Sequence, residues 1–138
     1  MNNALTVRDL QPAEVESARR FLGLHGWGHR TGAAEYFAQL IQNSQRTAVA
    51  FKDGQIIGFA RGITDGLSNG YLSMVVVDGQ HRREGVGRAL VEHVMGDTPD
   101  ITWVLRAGRE GAEAFFASLG FEASVIAMER PRLKQSEH

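Results

Sequence analysis

The stretch Val75–Leu90 reads VVVDGQHRREGVGRAL. Three β-branched residues in a row have the pattern of a buried strand. They run into a polar, basic loop from Gly79 to Glu84. A helix is expected from Gly85 to Met95, with Val86, Ala89, Leu90 and Val94 on one face. Glycines at the mouth of a helix let the backbone approach a ligand closely. The first helical turn offers N–H groups without intrahelical partners and a partial positive charge, and both suit phosphate. Arg82, Arg83 and Arg88 add cationic donors.

Three classes of phosphate loop compete for this segment. A Walker A loop requires Gly-Lys-Ser/Thr, but Gly87 is followed by Arg88-Ala89. A dinucleotide fingerprint requires G-x-G-x-x-G in the first βα unit. Here Leu90 stands where the third glycine belongs, and the loop comes late in the chain. The pattern R/Q-x-x-G-x-G/A is satisfied by Arg82–Gly87.

Upstream, Leu5–Leu10 reads as a short strand, and Pro12 opens a helix carrying Val15, Ala18, Phe21 and Leu22. The glycine-loosened link Gly23–Arg30 follows. A second helix is expected from about Thr31 as N-cap, with Ala33, Tyr36, Phe37, Leu40 and Ile41 on its stripe. Arg46–Phe51 and Gln55–Thr64 flank Lys52-Asp53-Gly54, a hairpin signal. Asp65–Gly70 is a turn before the strand Tyr71–Val77. Downstream, Ile101–Leu105 reads as a strand and Glu110–Leu119 as a helix closed by Gly120. Ala123–Met128 reads as a last strand. The order β-α-α-β-β-β-α-β-α-β predicts an α/β sheet of mixed direction, with two βα crossovers in its second half.

The whole chain has 138 residues, a length suited to one domain. With no cysteine, a disulfide scaffold, a Cys-ligated zinc site and a protein thiol nucleophile are excluded. The 15 Lys and Arg nearly balance 16 Asp and Glu, so no global pull toward nucleic acid or membrane is expected. The start MNNALTVRDLQP lacks the layout of a secretory peptide, and a cytoplasmic protein is expected. Glycine stands apart, with 16 residues against a usual share of about 7%.

The segment Val75–Leu90 resembles the acetyl-CoA-binding motif of the GNAT superfamily of N-acetyltransferases. Glu110–Phe121, EGAEAFFASLGF, is similar to that family's helix ending in Gly-Phe. The element order agrees too, so the resemblance covers nearly the whole chain. It implies a mixed, largely antiparallel central sheet with helices on both faces. The expected layout is a single domain over 1–130 with a flexible tail at 131–138. The implied activity is transfer of the acetyl group of acetyl-CoA to a primary amine of a small molecule or peptide, by direct attack on the thioester. A CoA-binding sensor or subunit with little catalysis is the alternative. No nucleic-acid or membrane partner is expected, and the protein is expected to be a monomer or a homodimer.

Site residues follow from the same resemblance. The pantetheine arm is expected along the backbone of Val75, Val76 and Val77, and an N–H around Val76, in a bulged strand, is expected to meet the oxyanion. The pyrophosphate is expected on Arg82, Arg83, Glu84, Gly85, Val86, Gly87 and Arg88. Many members protonate the leaving thiolate with a tyrosine. That position is Phe116 here, and Arg109 replaces an asparagine seven residues upstream, with phosphate as its expected contact. A thiol with an unperturbed pKa near 8.5 already leaves well, so the missing acid need not abolish activity.

An acceptor ammonium must lose a proton before it attacks. The position of the carboxylate base used by some relatives is Tyr71, with Ser73 on the same strand face. A tyrosine is a weak base at neutral pH, so a water relay is expected; Asp65 is the back-up. His25, Trp27 and His29 occupy the link that borders the acceptor site in this family, where rings can hold an amine. The other reading is a loop whose tryptophan covers the core edge. No metal site is expected, because the paired histidines lack a third ligand. Arg61 shares a strand face with Ile57, Phe59 and Ile63. A lone charge there either snorkels or points into a cleft.

Overall fold

A two-residue turn sets the register of the sheet. In the computed structural model, which describes residues 4–133, β2 (Arg46–Lys52) and β3 (Gln55–Thr64) meet through Asp53 and Gly54, with φ of 53° and 76°. Two successive left-handed residues make the turn whose twist matches a hairpin. Lys52 then pairs with Gln55, and Val49 with Phe59. β1 (Thr6–Arg8) lies antiparallel to β2, and β4 (Asn69–Val77) antiparallel to β3. β5 (Thr102–Val104) joins β4 in parallel, giving the order β1-β2-β3-β4-β5. This sheet belongs to the first of two compact units, Met1–Arg106.

Alternation along β3 builds two layers. One face buries Phe59 with Met74 and Val76 of β4 against Ala18, Phe21 and Leu22 of α1 (Val15–Leu22) and Phe37 of α3 (Ala34–Gln42). The opposite face receives α4 (Val86–Met95), whose Val86, Leu90, Val91 and Val94 are buried. Contact there is close because β3 presents glycines. A Cβ on Gly58 would lie 2.8 Å from Leu90 Cδ1, and one on Gly62 would lie 2.5 Å from Val94 Cγ1. Gly70, expected as a turn residue, is the first residue after Asn69 in β4, and a Cβ there would meet the Trp103 ring at 2.5 Å. Arg46 ties the sheet to the end of α4, its Nη1 donating to the carbonyls of Val94 (3.0 Å) and Met95 (2.9 Å).

Thr31 is not an N-cap. It closes the short helix α2 (Gly28–Thr31), is buried, and donates through Oγ1 to the Gly28 carbonyl at 3.3 Å. Gly32, at φ 63°, breaks the chain there, and α3 starts from an extended Ala33.

The second unit, Ala107–His138, contains α5 (Ala112–Ala117), where Phe116 packs edge-on against Phe115 and Phe121. The expected strand at Ala123–Met128 does not form. Val125, Ile126 and Met128 are exposed, and Ser124 Oγ instead accepts from the amides of Ile126 and Ala127, a local turn. With that strand goes the second βα crossover. Of the expected tail 131–138, residues 134–138 lie outside the described residues.

Candidate functional site

β4 changes partners part-way along. Asn69, Gly70 and Tyr71 pair with Thr102, Trp103 and Val104, and beyond Tyr71 the pairing with β5 stops. From Leu72 to Val77 the strand is bonded on its β3 side alone among the described residues. On that side, Phe59 faces Val76 and Arg61 faces Ser73, so Met74 and Val75 together oppose the single residue Ala60. This is a β-bulge on β4, and Met74 sits in it at φ 57°. A bulge re-aims backbone amides out of the ladder. Here those amides are the N–H groups around Val75 and Val76.

The strand then delivers the phosphate loop. Asp78 donates its N–H to the Ile57 carbonyl at 2.8 Å and accepts from Gln80 N through its side chain, starting a tight turn at Gly79–His81. Arg83, at φ 66°, and Gly85, at φ 84°, curl the loop into the start of α4. Gly85 provides no side-chain cap, and the first intrahelical bond runs from Ala89 N to Gly85 O. The amides of Val86 and Gly87 precede that bond and point out of the helix. Open space surrounds the Cβ position of Gly85.

Side chains divide between holding the loop and lining it. The Glu84 carboxylate accepts from Lys52 Nζ and His81 Nδ1, each at 3.1 Å, and these partners, His81 first, hold its pKa below the usual carboxylate range. Glu84 therefore clamps the loop to the β2–β3 hairpin through Lys52. Arg88 pairs with Glu92 along the helix at 3.4 Å. Arg82 and Arg83 are exposed, without an ion pair among the described residues. An unpaired strand edge, outward amides at a helix start and two uncommitted guanidiniums fit the three parts of CoA: amide-bearing arm, pyrophosphate and charge.

The link after α1 is irregular at His25 (φ −113°, ψ 25°) and Gly26 (φ 89°, ψ 12°). His25 Nδ1 lies 2.7 Å from the Phe21 carbonyl, which can only accept, so Nδ1 carries the proton. Its Nε2 then faces Asp78 Oδ2 at 3.9 Å. Trp27 packs against the core cluster, and its ring stacks with exposed His29 at 6.5 Å. The three residues share one segment at the α1 end of the site.

Asp65 is spent as a base. It accepts from the amides of Leu67, Ser68 and Asn69 and from the Ser68 hydroxyl, which hold its pKa far below the carboxylate range. Tyr71 is half-buried, at the point where β4 leaves β5, on the face shared with Ser73. Arg109 and Phe116 both belong to the second unit, where Phe116 is buried and Arg109 exposed. The setting of Arg61, a buried β3 residue opposite Ser73, was visible in sequence only as a lone charge on an apolar face.

This geometry has counterparts. A solved chain from Xanthomonas campestris pv. campestris described as belonging to the GNAT family is 25% identical, with a TM-score of 0.75 over 93% of each chain. A glucosamine-6-phosphate N-acetyltransferase from Arabidopsis thaliana is 18% identical, with a TM-score of 0.69 over 94% of this chain and 99% of that one. A ribosomal-protein-alanine N-acetyltransferase from Brucella melitensis biovar Abortus is 17% identical, with a TM-score of 0.72 over 94% and 99%. At such identities the last two speak for the fold alone. No curated protein matches in sequence. The acetyltransferase (GNAT) domain profile matches residues 43–123, more than half of the chain, and takes in the hairpin, the bulged strand, the RREGVG loop and α5. The chain belongs to the GNAT family of acetyltransferases.

Proposed function

We propose that the protein transfers the acetyl group of acetyl-CoA to a primary amine of a small molecule or peptide. The observation that carries this reading is the β4 edge. It is free past Tyr71, bulged at Met74–Val75, and continuous with the loop at the α4 N-terminus. In this reading the backbone of Val75, Val76 and Val77 pairs with the pantetheine amides as a partner strand would. The loop amides from Glu84 to Gly87 donate to the pyrophosphate, with Arg82 and Arg83 beside them. Arg109 and Phe116 enter the cofactor site on the family resemblance alone.

The amine, once deprotonated, attacks the thioester carbonyl. The N–C bond forms, the carbonyl oxygen takes up negative charge opposite the Val76 N–H, and the C–S bond then breaks with its electron pair on sulfur. A water hydrogen-bonded to the Tyr71 hydroxyl carries the ammonium proton to solvent. The second proton of the attacking nitrogen leaves to water and so to the departing thiolate, and the segment His25–His29 borders the incoming amine. The same fold carries a sugar-phosphate amine acetyltransferase and a protein-alanine acetyltransferase, so the acceptor is set by side chains around the edge and not by the fold. One domain over 1–130, a cytoplasmic location and a monomeric or homodimeric state complete the proposal. Among the described residues no helix is long and apolar enough to cross a membrane.

Calorimetric titration with CoA and a thiol-release assay over an amine panel test the reading. Saturable CoA binding, weakened about 10–100-fold in the double variant R82A/R83A, is expected together with thiol release on at least one amine. Absence of CoA binding overturns the proposal. Tight CoA binding with no thiol release on any amine favours the sensor instead.

A further inference from the structure

We propose that Arg61 selects a small acceptor amine carrying a carboxylate or a phosphate, which its guanidinium receives beside the β4 bulge. This deepens the acetyl-transfer reading and rests on it. Arg61 is 7% exposed, on the sheet face shared with Phe59 and covered by α1 and α3. Its Nε donates to Ser44 Oγ at 2.9 Å, and that hydroxyl passes its own proton to the Leu40 carbonyl at 2.7 Å. One side of the guanidinium is thereby fixed.

The other side is open. Nη1 and Nη2 donate to no described residue, and neither is sealed from solvent. Among the described residues no carboxylate forms an ion pair with Arg61. Burial pushes its pKa down, and only the Tyr36 and Tyr71 phenols push it back up. An arginine remains charged under such a shift, so this is a buried cation without a counter-ion among the described residues. Three other arginines of the same unit are matched: Arg8 to Glu14 at 2.6 Å, Arg19 to Glu16 at 2.8 Å, and Arg46 to the carbonyls that end α4. Leaving a buried charge unmatched is costly, and a ligand anion removes the cost on arrival.

Geometry sets what that ligand is. With Nε held by Ser44, the two terminal nitrogens present parallel donors, a fork that matches the paired oxygens of a carboxylate or phosphate. Arg61 pairs with Ser73, the residue that immediately precedes the bulge. Paired residues of an antiparallel ladder stand only about 4.5–5.5 Å apart at Cα. Arg61 and Ser73 thus face the same side of the sheet, and a small molecule whose anion meets the guanidinium can present its amine at the bulge. Tyr36, 54% exposed on α3, and Tyr71 flank the approach.

The test compares amines in matched pairs: amino carboxylates with their amides, and amino phosphates with the corresponding amino alcohols. Thiol release by the wild type is expected to favour one anionic series by about 10–100-fold in kcat/KM, carried by KM. The favoured series tells carboxylate from phosphate. R61M is expected to abolish the preference while leaving CoA affinity in place and the melting temperature no lower; R61K is expected to restore part of it. Equal rates on anionic and neutral partners in the wild type overturn the proposal, as does a preference that survives in R61M. A melting temperature that falls sharply in both variants shows a structural arginine and overturns it too. Calorimetric titration of the wild-type CoA complex with the same pairs reads anion selection without turnover. If CoA binds and no amine is acetylated, transfer fails, and this titration still decides whether the anion site exists.

Discussion

Single residues decide how closely the layers of this protein approach. Gly58, Gly62 and Gly70 are spaced along two strands, and nothing in their local sequence separates them from turn glycines such as Gly54. Their partners Leu90, Val94 and Trp103 are remote in the chain, and only the fold shows that bare backbone is needed beneath a valine or an indole. The phosphate-loop glycines were legible because their neighbours in sequence are also their neighbours in space. Arg61 lies between these cases: its oddity was visible, its missing counter-ion was not. Gly62 gives the sharpest test of close packing. A Cβ there would stand 2.5 Å from Val94 Cγ1 and 3.3 Å from Trp103 Cζ3, so something must shift. G62A is expected to cost about 1–3 kcal/mol in urea denaturation, the range for overpacking a well-filled interior. In a V94A background the space is vacated, and the same substitution is expected to cost less than it does alone.

Elements with their own stop signals were the readable ones. The β2–β3 hairpin carries its turn chemistry in two residues, and α4 is bracketed by Gly85 and Gly96, both with positive φ. The segment Ala123–Met128 has strand-like residues, yet a strand exists only where a partner edge takes its hydrogen bonds, and the pattern cannot supply one. The bulge on β4 was legible through the family resemblance alone, since Met74 is an ordinary strand residue by type. α1 carries an electrostatic device within reach of its own sequence. Glu16, in its first turn, accepts from Arg19 at 2.8 Å and from Arg20 at 3.2 Å, which lowers its pKa from the ordinary 4.5 to about 2, Arg19 contributing most. A carboxylate depressed in the folded state stabilises the fold fully above its unfolded pKa and loses that contribution as pH falls through the folded one. The difference in urea midpoint between wild type and E16Q is therefore expected to be flat above about pH 5. It is expected to shrink between pH 4.5 and about 2. A difference that persists unchanged to pH 2 would assign the effect to packing and not to the ion pairs.

Across the whole molecule the near-zero net charge conceals a division of labour. Acidic and basic side chains are interspersed over the surface, while Arg82 and Arg83 stand without ion pairs on the loop that opens α4. Stability is divided as well. β3 is bonded to neighbours on both sides over most of its length, β2 and β4 over three residues each, and the three strands bury Val49, Phe59 and Val76. Residues 122–133 form no ladder and are exposed. Amides of β3 should therefore exchange with solvent only when the first unit unfolds, and those of residues 122–128 through local opening. A cofactor that binds the native state alone raises the free energy of global unfolding by RT ln(1 + [L]/Kd), about 2.7 kcal/mol at a hundredfold excess over Kd. With CoA at that excess, exchange of the β3 amides is expected to slow about 100-fold. The Val86 and Gly87 amides are expected to gain protection directly, by donating to the pyrophosphate. Mass-resolved hydrogen exchange on the full chain, with and without CoA, checks each part. Slow exchange of residues 123–128 in the free protein would show that the strand expected at Ala123–Met128 forms after all, because a protected amide there needs a ladder partner.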